Sequence, residues 1–189
     1  MIVRKAYKYR LKTNDDIEQK LWAFAGHSRF VWNYFWRLNK HRLSNGYRVM
    51  RYSEMDYFSK LLKKSDEYSF LAEAPAHLIQ QKLKDLDKAY KDAFDKKQQN
   101  KRMPTKRKRN IHSSFRYPAP NQLKLDNRRI FLPKLGWIGF YSSRKIDGEI
   151  KNATVSYSGG HWYISIQLEK EVSINKYREP KDIGIDLGI

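Results

Sequence analysis

Apolar positions along this chain repeat with two different periods, separated by a stretch with none. Residues 2–11, "IVRKAYKYRL", alternate loosely between apolar and basic side chains, which predicts a short strand. "KTNDD" breaks the alternation, and Thr13 with Asp16 three residues on forms a capping-box variant that opens a long helix. Ile17, Leu21, Phe24, Ala25, Val31, Trp32 and Phe35 then fall at helical spacing, and Ser44–Gly46 ends the run. Ser53 with Asp56 repeats the cap signal ahead of a shorter helix holding Met55, Phe58, Leu61 and Leu62. Pro75 suits the first turn of a third helix, where its missing N–H is no loss. Ile79, Leu83, Leu86, Tyr90 and Phe94 mark its buried face. Three helices with short connections predict a small bundle.

At Lys96 the period disappears. "KKQQNKRMPTKRKRN" is dense in Lys and Arg, and a solvated linker is the default for such a run. Its place between two structured parts predicts instead a loop laid along a phosphate backbone. From Ser113 the period becomes two, through "SSFRYPA", "QLKLD", "RRIFLPKLGWIGF", "IKNATVSYS" and "HWYISIQLE". "DNRR", Asp147-Gly148 and "SGG" are turns between them. In the last segment Trp162, Ile164, Ile166 and Leu168 point one way, and Tyr163, Ser165 and Gln167 the other. The expected fold class is α+β. A small antiparallel β-barrel takes in the orphaned first strand, so the helices become an insertion in it. "IGIDLGI" at the end reads as a new apolar strand.

Charge then narrows the function. The 189 residues include 39 Lys and Arg against 20 Asp and Glu, a formal charge of +19. Like charges add no fold stability, so the excess points to a polyanionic partner, nucleic acid first. No segment approaches the roughly 20 apolar residues of a membrane span, and the first residues lack a signal-peptide core, so no membrane partner is expected. The absence of cysteine excludes disulfides and thiolate metal sites within the chain and fits a cytoplasmic setting. The five histidines show no metal-ligand spacing, so no zinc is expected here. No glycine-rich phosphate loop and no nucleophile elbow is present.

Two stretches could carry chemistry. In "IGIDLGI", Asp186 stands among aliphatics with Gly184 and Gly188 two positions to either side. A carboxylate in an apolar strand is costly to bury unless paired or bound to a cation. Metal-dependent nucleases use such a residue, although one Asp cannot hold a two-metal site, and a strand-end Asp facing solvent is the plainer alternative. In "GHSRFVWNYF", Gly26, Arg29 and Asn33 lie three and four apart on the long helix. Glycine inside a helix costs about 1 kcal/mol against alanine. Either another helix packs close there, or Arg29 and Asn33 face phosphate or a base edge.

The ordered series "YKYRLKTNDDIEQKL", "GHSRFVWNYF", "LKDLDKAYKDAF", "LPKLGWIGF" and "IGIDLGI" closely resembles the amino-terminal half of TnpB (the transposon-encoded OrfB family), RNA-guided DNA endonucleases related to type V CRISPR effectors. The resemblance covers essentially the whole chain. It implies a wedge β-barrel built from residues 1–12 and 113–180, a helical recognition lobe at 13–112 with a basic loop at 96–110, and the start of a RuvC-like domain (RNase H fold) at 181–189. Asp186 aligns with the first catalytic carboxylate and would ligate Mg²⁺ in a complete nuclease. The family's other catalytic acids and its cysteine zinc finger have no counterpart here, so the chain alone is expected not to cut DNA. The expected partners are a guide RNA and double-stranded target DNA, in a prokaryotic cytoplasm and associated with the nucleoid. Tyr52, His77 and Gln80 occupy positions like those of the family's DNA-motif readers, and Gln can pair bidentately with adenine. Ala76 and His77 depart from the Lys and aromatic of some relatives, and Thr105 stands where an aromatic is usual. Arg29, Asn33, Lys106, Arg107, Lys108, Arg109 and Arg116 are the candidates for RNA and backbone contacts, which position rather than specify. Two alternatives stay open: a nuclease-deficient DNA-binding regulator or transposase remnant, and an RNA-binding module in which Asp186 is incidental.

Overall fold

The first strand finds its partner at the other end of the sequence. A computed structural model describes residues 1–109, 113–142, 144 and 146–173. In it β1 (Ile2–Arg10) runs antiparallel to β7 (His161–Glu171), from the Ile2/Glu171 pair to the Arg10/Tyr163 pair. Between them in sequence lie α1 (Asp15–Ser44), α2 (Tyr52–Leu62), a 3₁₀ segment (Asp66–Ala72) and α3 (Ala76–Phe94). Then come β2 (Ser114–Tyr117), β3 (Lys124–Asp126), β4 (Arg129–Leu132), β5 (Gly136–Gly139) and β6 (Glu149–Ser158). The class is α+β with antiparallel sheets, and the orphan strand does join the later ones.

The expected closed barrel is not formed among the described residues. The strands make a four-stranded sheet, β1-β7-β6-β2, and a separate three-stranded sheet, β3-β4-β5. A single bridge, Leu11 to Phe140, joins them. It is flanked by Lys12 N–H donating to the Gly139 carbonyl at 2.7 Å and Tyr141 N–H donating to that of Arg10 at 2.9 Å. The reason closure fails is local. β2 has four residues and runs into Pro118 and Pro120, which have no N–H to extend a ladder.

The helices form where the apolar spacing predicts them, with different caps. Asn14, not Thr13, caps α1: its side chain accepts the Ile17 N–H at 2.9 Å. The Thr13 hydroxyl instead donates to Glu18 at 2.7 Å. Asp15, Asp16 and Glu18 place negative charge at the positive end of the helix dipole. α2 starts after Arg51, not Ser53. The Glu54 carboxylate accepts the Arg51 N–H at 2.9 Å and a two-pronged contact from Arg48 at 2.7 and 3.0 Å, which holds that carboxyl below its usual range. On α2 only Met55 and Ser59 are fully buried, while Phe58 and Leu61 stay exposed. Pro75 immediately precedes α3, which buries Leu78, Ile79, Leu83, Leu86 and Tyr90 but leaves Phe94 exposed.

The core lies between α1, α3 and one face of the larger sheet. Trp162, Ile164, Ile166 and Leu168 point inward as their alternation predicts. The Trp22 ring of α1 sits 4.6 Å from Tyr157 and 5.0 Å from Trp162, and Phe24 meets Phe115 of β2 at 6.0 Å. Aromatic pairs at these separations add to the area they bury. The smaller sheet is tied to the helices by Lys134, whose ammonium donates to the Ala72 carbonyl at 2.6 Å. Among the described residues no helix is long and apolar enough to cross a membrane.

Two turns set the register of the long strands. Gly159 and Gly160, with φ of 54° and 80°, make the two-residue hairpin between β6 and β7. Gly148 has φ 131°, and a Cβ there would stand 2.8 Å from the Glu169 carbonyl oxygen. Gly148→Ala is therefore expected to destabilise the fold by about 1–3 kcal/mol. Urea denaturation checks this as a lowered midpoint with unchanged slope.

Candidate nucleic-acid interface

The basic loop does not float. Trp32 Nε1 donates to the Thr105 carbonyl at 2.9 Å, and Trp36 Nε1, one turn further, donates to Pro104 at 2.8 Å. Asn33 between them makes a reciprocal pair with Arg107: its amide donates to the Arg107 carbonyl at 3.1 Å and accepts the Arg107 N–H at 2.8 Å. Every one of these bonds is to backbone, so residues 104–107 lie along α1 as a strap. Their side chains are left to point elsewhere. The Arg107 guanidinium stacks over Trp32 at 4.2 Å, and that of Arg109 lies over Trp22 at 5.7 Å. The Ser113 hydroxyl donates to the Arg109 carbonyl and anchors the far end.

Helical geometry puts Trp22, Gly26, Arg29, Asn33 and Trp36 on one stripe of α1, three or four residues apart. Arg29 on this stripe pairs with no carboxylate among the described residues. Burial lowers the Arg29 guanidinium pKa, and repulsion from Arg109 lowers it further. Arg29 Nη1 is buried with no hydrogen-bond partner among the described residues. Beside the strap, burial also lowers the Lys82 ammonium, while Asp85 at 3.6 Å pulls it back up and Arg107 pushes it down. Burial lowers Arg107 too, against the pull of Asp85. One carboxylate thus serves two cations.

A second cationic face lies on α3. His77, Gln80, Lys84, Lys88 and Lys91 follow one another at spacings of three or four, opposite the Leu78–Tyr90 core face. With Arg51, Tyr52 and Ser53 at the start of α2, the lower part of this row lines an open groove of about 570 Å³. The Lys84 ammonium sits 5.1 Å from the Tyr52 ring. Burial raises the Tyr52 phenol pKa, and Asp56 raises it further, so it remains a neutral O–H donor. Beneath the groove Asp87 is nearly buried, with Lys91 at 2.5 Å and Arg51 at 3.6 Å. A buried carboxylate fixes both cations at the groove's wall.

The predicted residues therefore divide. Tyr52 lines the α2–α3 groove, while His77 and Gln80 lie on the same row of α3 outside its lining. Arg29, Asn33, Lys106, Arg107, Lys108 and Arg109 gather on α1 and its strap, where Asn33 and Arg107 are engaged in holding the strap itself. Arg116 stands on β2 opposite Thr154, its Nε buried and without a partner among the described residues. Asp186 lies outside the described residues, as does the whole of the expected 181–189 segment. No group of three acidic, histidine or cysteine side chains among the described residues could hold a metal. Sequence reasoning missed Trp22 and Trp36 as partners of the loop, and the Lys84–Lys88–Lys91 row. The row was legible as lysines at helical spacing opposite the apolar face.

Two cationic helix faces thus stand beside an antiparallel sheet. Over residues 1–47 the chain matches the OrfB helix-turn-helix domain, HTH_OrfB_IS605. It is 38% identical over 185 residues, 98% of its length, to a protein of Escherichia coli (strain K12) named "Putative RNA-guided DNA endonuclease InsQ". By these two matches the chain is similar to proteins of the OrfB/TnpB family, and it spans 45% of the length of that relative. The matched residues hold one strand and one unbroken helix, which runs through Gly26-His27-Ser28.

Asn33→Ala removes both bonds to Arg107 and leaves its backbone polar groups unpaired. The strap is expected to loosen at a cost of about 1–3 kcal/mol. Limited trypsin digestion checks this: the variant is cut between Lys106 and Arg109 well before the wild-type chain.

Proposed function

We propose that this chain is the nucleic-acid-binding amino-terminal part of a transposon-associated RNA-guided DNA endonuclease. The observation that carries the reading is the pairing of two separate cationic faces with the similarity to that family. The α2–α3 groove, with Tyr52 in its lining and His77 and Gln80 further along the same row of α3, takes the target-adjacent DNA motif. Arg51, Lys84 and Lys91 serve as phosphate contacts that set the register. The strap and the exposed stripe of α1 take the backbone of the guide RNA or of its hybrid with target. In this reading the two sheets are the wedge domain, the helices are the recognition lobe, and a RuvC-like domain begins near residue 181. Asp186 would be its first Mg²⁺ ligand, with further carboxylates needed to complete a two-metal site. A cytoplasmic, nucleoid-associated location follows from such partners.

Binding measured against salt tests the proposal. The chain is expected to hold RNA and duplex DNA with a steep fall of affinity as salt rises. Lys106→Ala and Arg109→Ala should each flatten the log–log slope for RNA by roughly 0.7–0.9. Gln80→Ala should lose about 1–3 kcal/mol of discrimination between DNA sequences. Lys84→Ala should instead weaken all duplexes alike. Wild-type chain that purifies free of nucleic acid and binds none at physiological salt sinks the reading.

A further inference from the structure

Gly26 sits eleven residues inside a thirty-residue helix, where glycine is the least favourable residue short of proline. A glycine in such a place is normally explained by a neighbour that would collide with a side chain. Here that neighbour is missing among the described residues: a Cβ built at Gly26 meets only Arg29 Nη2, at an ordinary 3.9 Å. Glycine's other property, φ above zero, is not used, since the residue is helical. The bare backbone at this position is therefore open to a ligand.

The surroundings say which chemistry. Gly26 lies on the α1 stripe between Trp22 and Arg29. Arg109 lies over Trp22, and its charge reaches Arg29. Two guanidiniums thus flank the gap left by the missing side chain, and Arg29 Nη1 is buried with nothing to donate to among the described residues. No carboxylate of the described residues forms an ion pair with either arginine. A buried donor without an acceptor is rare in folded proteins and calls for an explanation. Two arginines that feel each other's charge, with no carboxylate paired to either among the described residues, call for the same one.

We propose that Gly26, Arg29 and Arg109 form a seat for one phosphodiester group of a bound nucleic-acid strand, and that glycine occupies position 26 because the strand's backbone passes directly over the helix there. The proposal rests on the nucleic-acid-binding reading above and narrows it to one contact. Arg29 supplies the forked donors that suit a phosphate's paired oxygens. Arg109, held over Trp22, closes the seat from the strap side. The arrangement also accounts for the strap itself, since Arg109 can face Arg29 only while residues 104–107 are bound to α1.

Gly26→Ala separates this from any packing role. Alanine strengthens the helix and touches nothing but the end of a flexible side chain, so the melting temperature is expected to rise by about 2–4 °C. Binding is expected to fall about ten-fold or more, with the salt slope for a single strand lower by about 0.7. Arg29→Ala should reproduce the loss of binding without the gain in melting temperature. The probes are a fluorescein-labelled single-stranded RNA, the DNA of the same sequence, and the RNA–DNA hybrid, each titrated with the full chain. Loss confined to RNA and hybrid assigns the seat to the guide; loss confined to DNA and hybrid assigns it to the target strand. A Gly26→Ala chain that melts lower than wild type makes the glycine a packing residue and overturns the proposal. So does one that binds all three probes as wild type does. Wild-type chain that binds none of them overturns the functional reading instead.

Discussion

A polycationic segment has no electrostatic reason to lie against an arginine-bearing helix, and in this protein it does so through uncharged bonds. The indoles of Trp32 and Trp36 and the amide of Asn33 reach across to the backbone of residues 104–107. Each such bond contributes only about 1 kcal/mol net, but leaving the buried partner unpaired would cost more. Because the bonds are to main chain, they fix the path of the loop without using its charges. Cation–π contacts of Arg107 and Arg109 with Trp32 and Trp22 then set the direction of two of those charges. The gathering of Arg29 and Arg109 into one place depends on this neutral clamp.

The second face solves the same problem differently. On α3 the cations stand in a row because the helix puts residues three and four apart on one side. Asp87 lies beneath them, nearly buried, and draws Arg51 and Lys91 to itself. Lys88 is likewise held by Asp92 at 2.9 Å. These carboxylates reduce the repulsion along the row without cancelling it. Arg51, Lys84, Lys88 and Lys91 outnumber the two acids that steady them. A surface of this kind is positioned by internal ion pairs and still carries a net positive field toward solvent.

Much of the fold was legible because apolar period is a direct record of which face is buried. Ile17 to Phe35, Ile79 to Tyr90 and Trp162 to Leu168 all turn the side the spacing predicts. What failed did so where the deciding group was a single backbone or side-chain choice. Asn14 competes with Thr13 for one N–H, and only geometry picks between them. The exposure of Phe58 and Leu61 depends on how α2 leans on α3, which no local pattern encodes. The barrel was a reasonable closure of short strands, but Pro118 and Pro120 cut one edge short. For the site, the residue types were legible and the bonds among them were not. Asn33 and Arg107 are the clearest case: both look like nucleic-acid contacts in sequence, and both hold the strap.

The unbroken course of α1 ties these points together. A turn at Gly26-His27-Ser28 would split the helix into two short ones, and the stripe from Trp22 to Trp36 would no longer be a straight line. The helix survives because both flanks are anchored. Leu21, Phe24 and Ala25 before the glycine and Val31, Trp32 and Phe35 after it are buried in the same core. Tertiary packing therefore offsets a local weakness that costs the helix about 1 kcal/mol. His27 and Ser28 follow the glycine on the buried side. Both are buried with a polar atom unpartnered among the described residues, and burial keeps the imidazole pKa low and the ring neutral. The helix thus carries its glycine on the outer stripe and a buried neutral histidine and an unpartnered hydroxyl on the inner side, and the core contacts on both flanks hold that outer stripe straight.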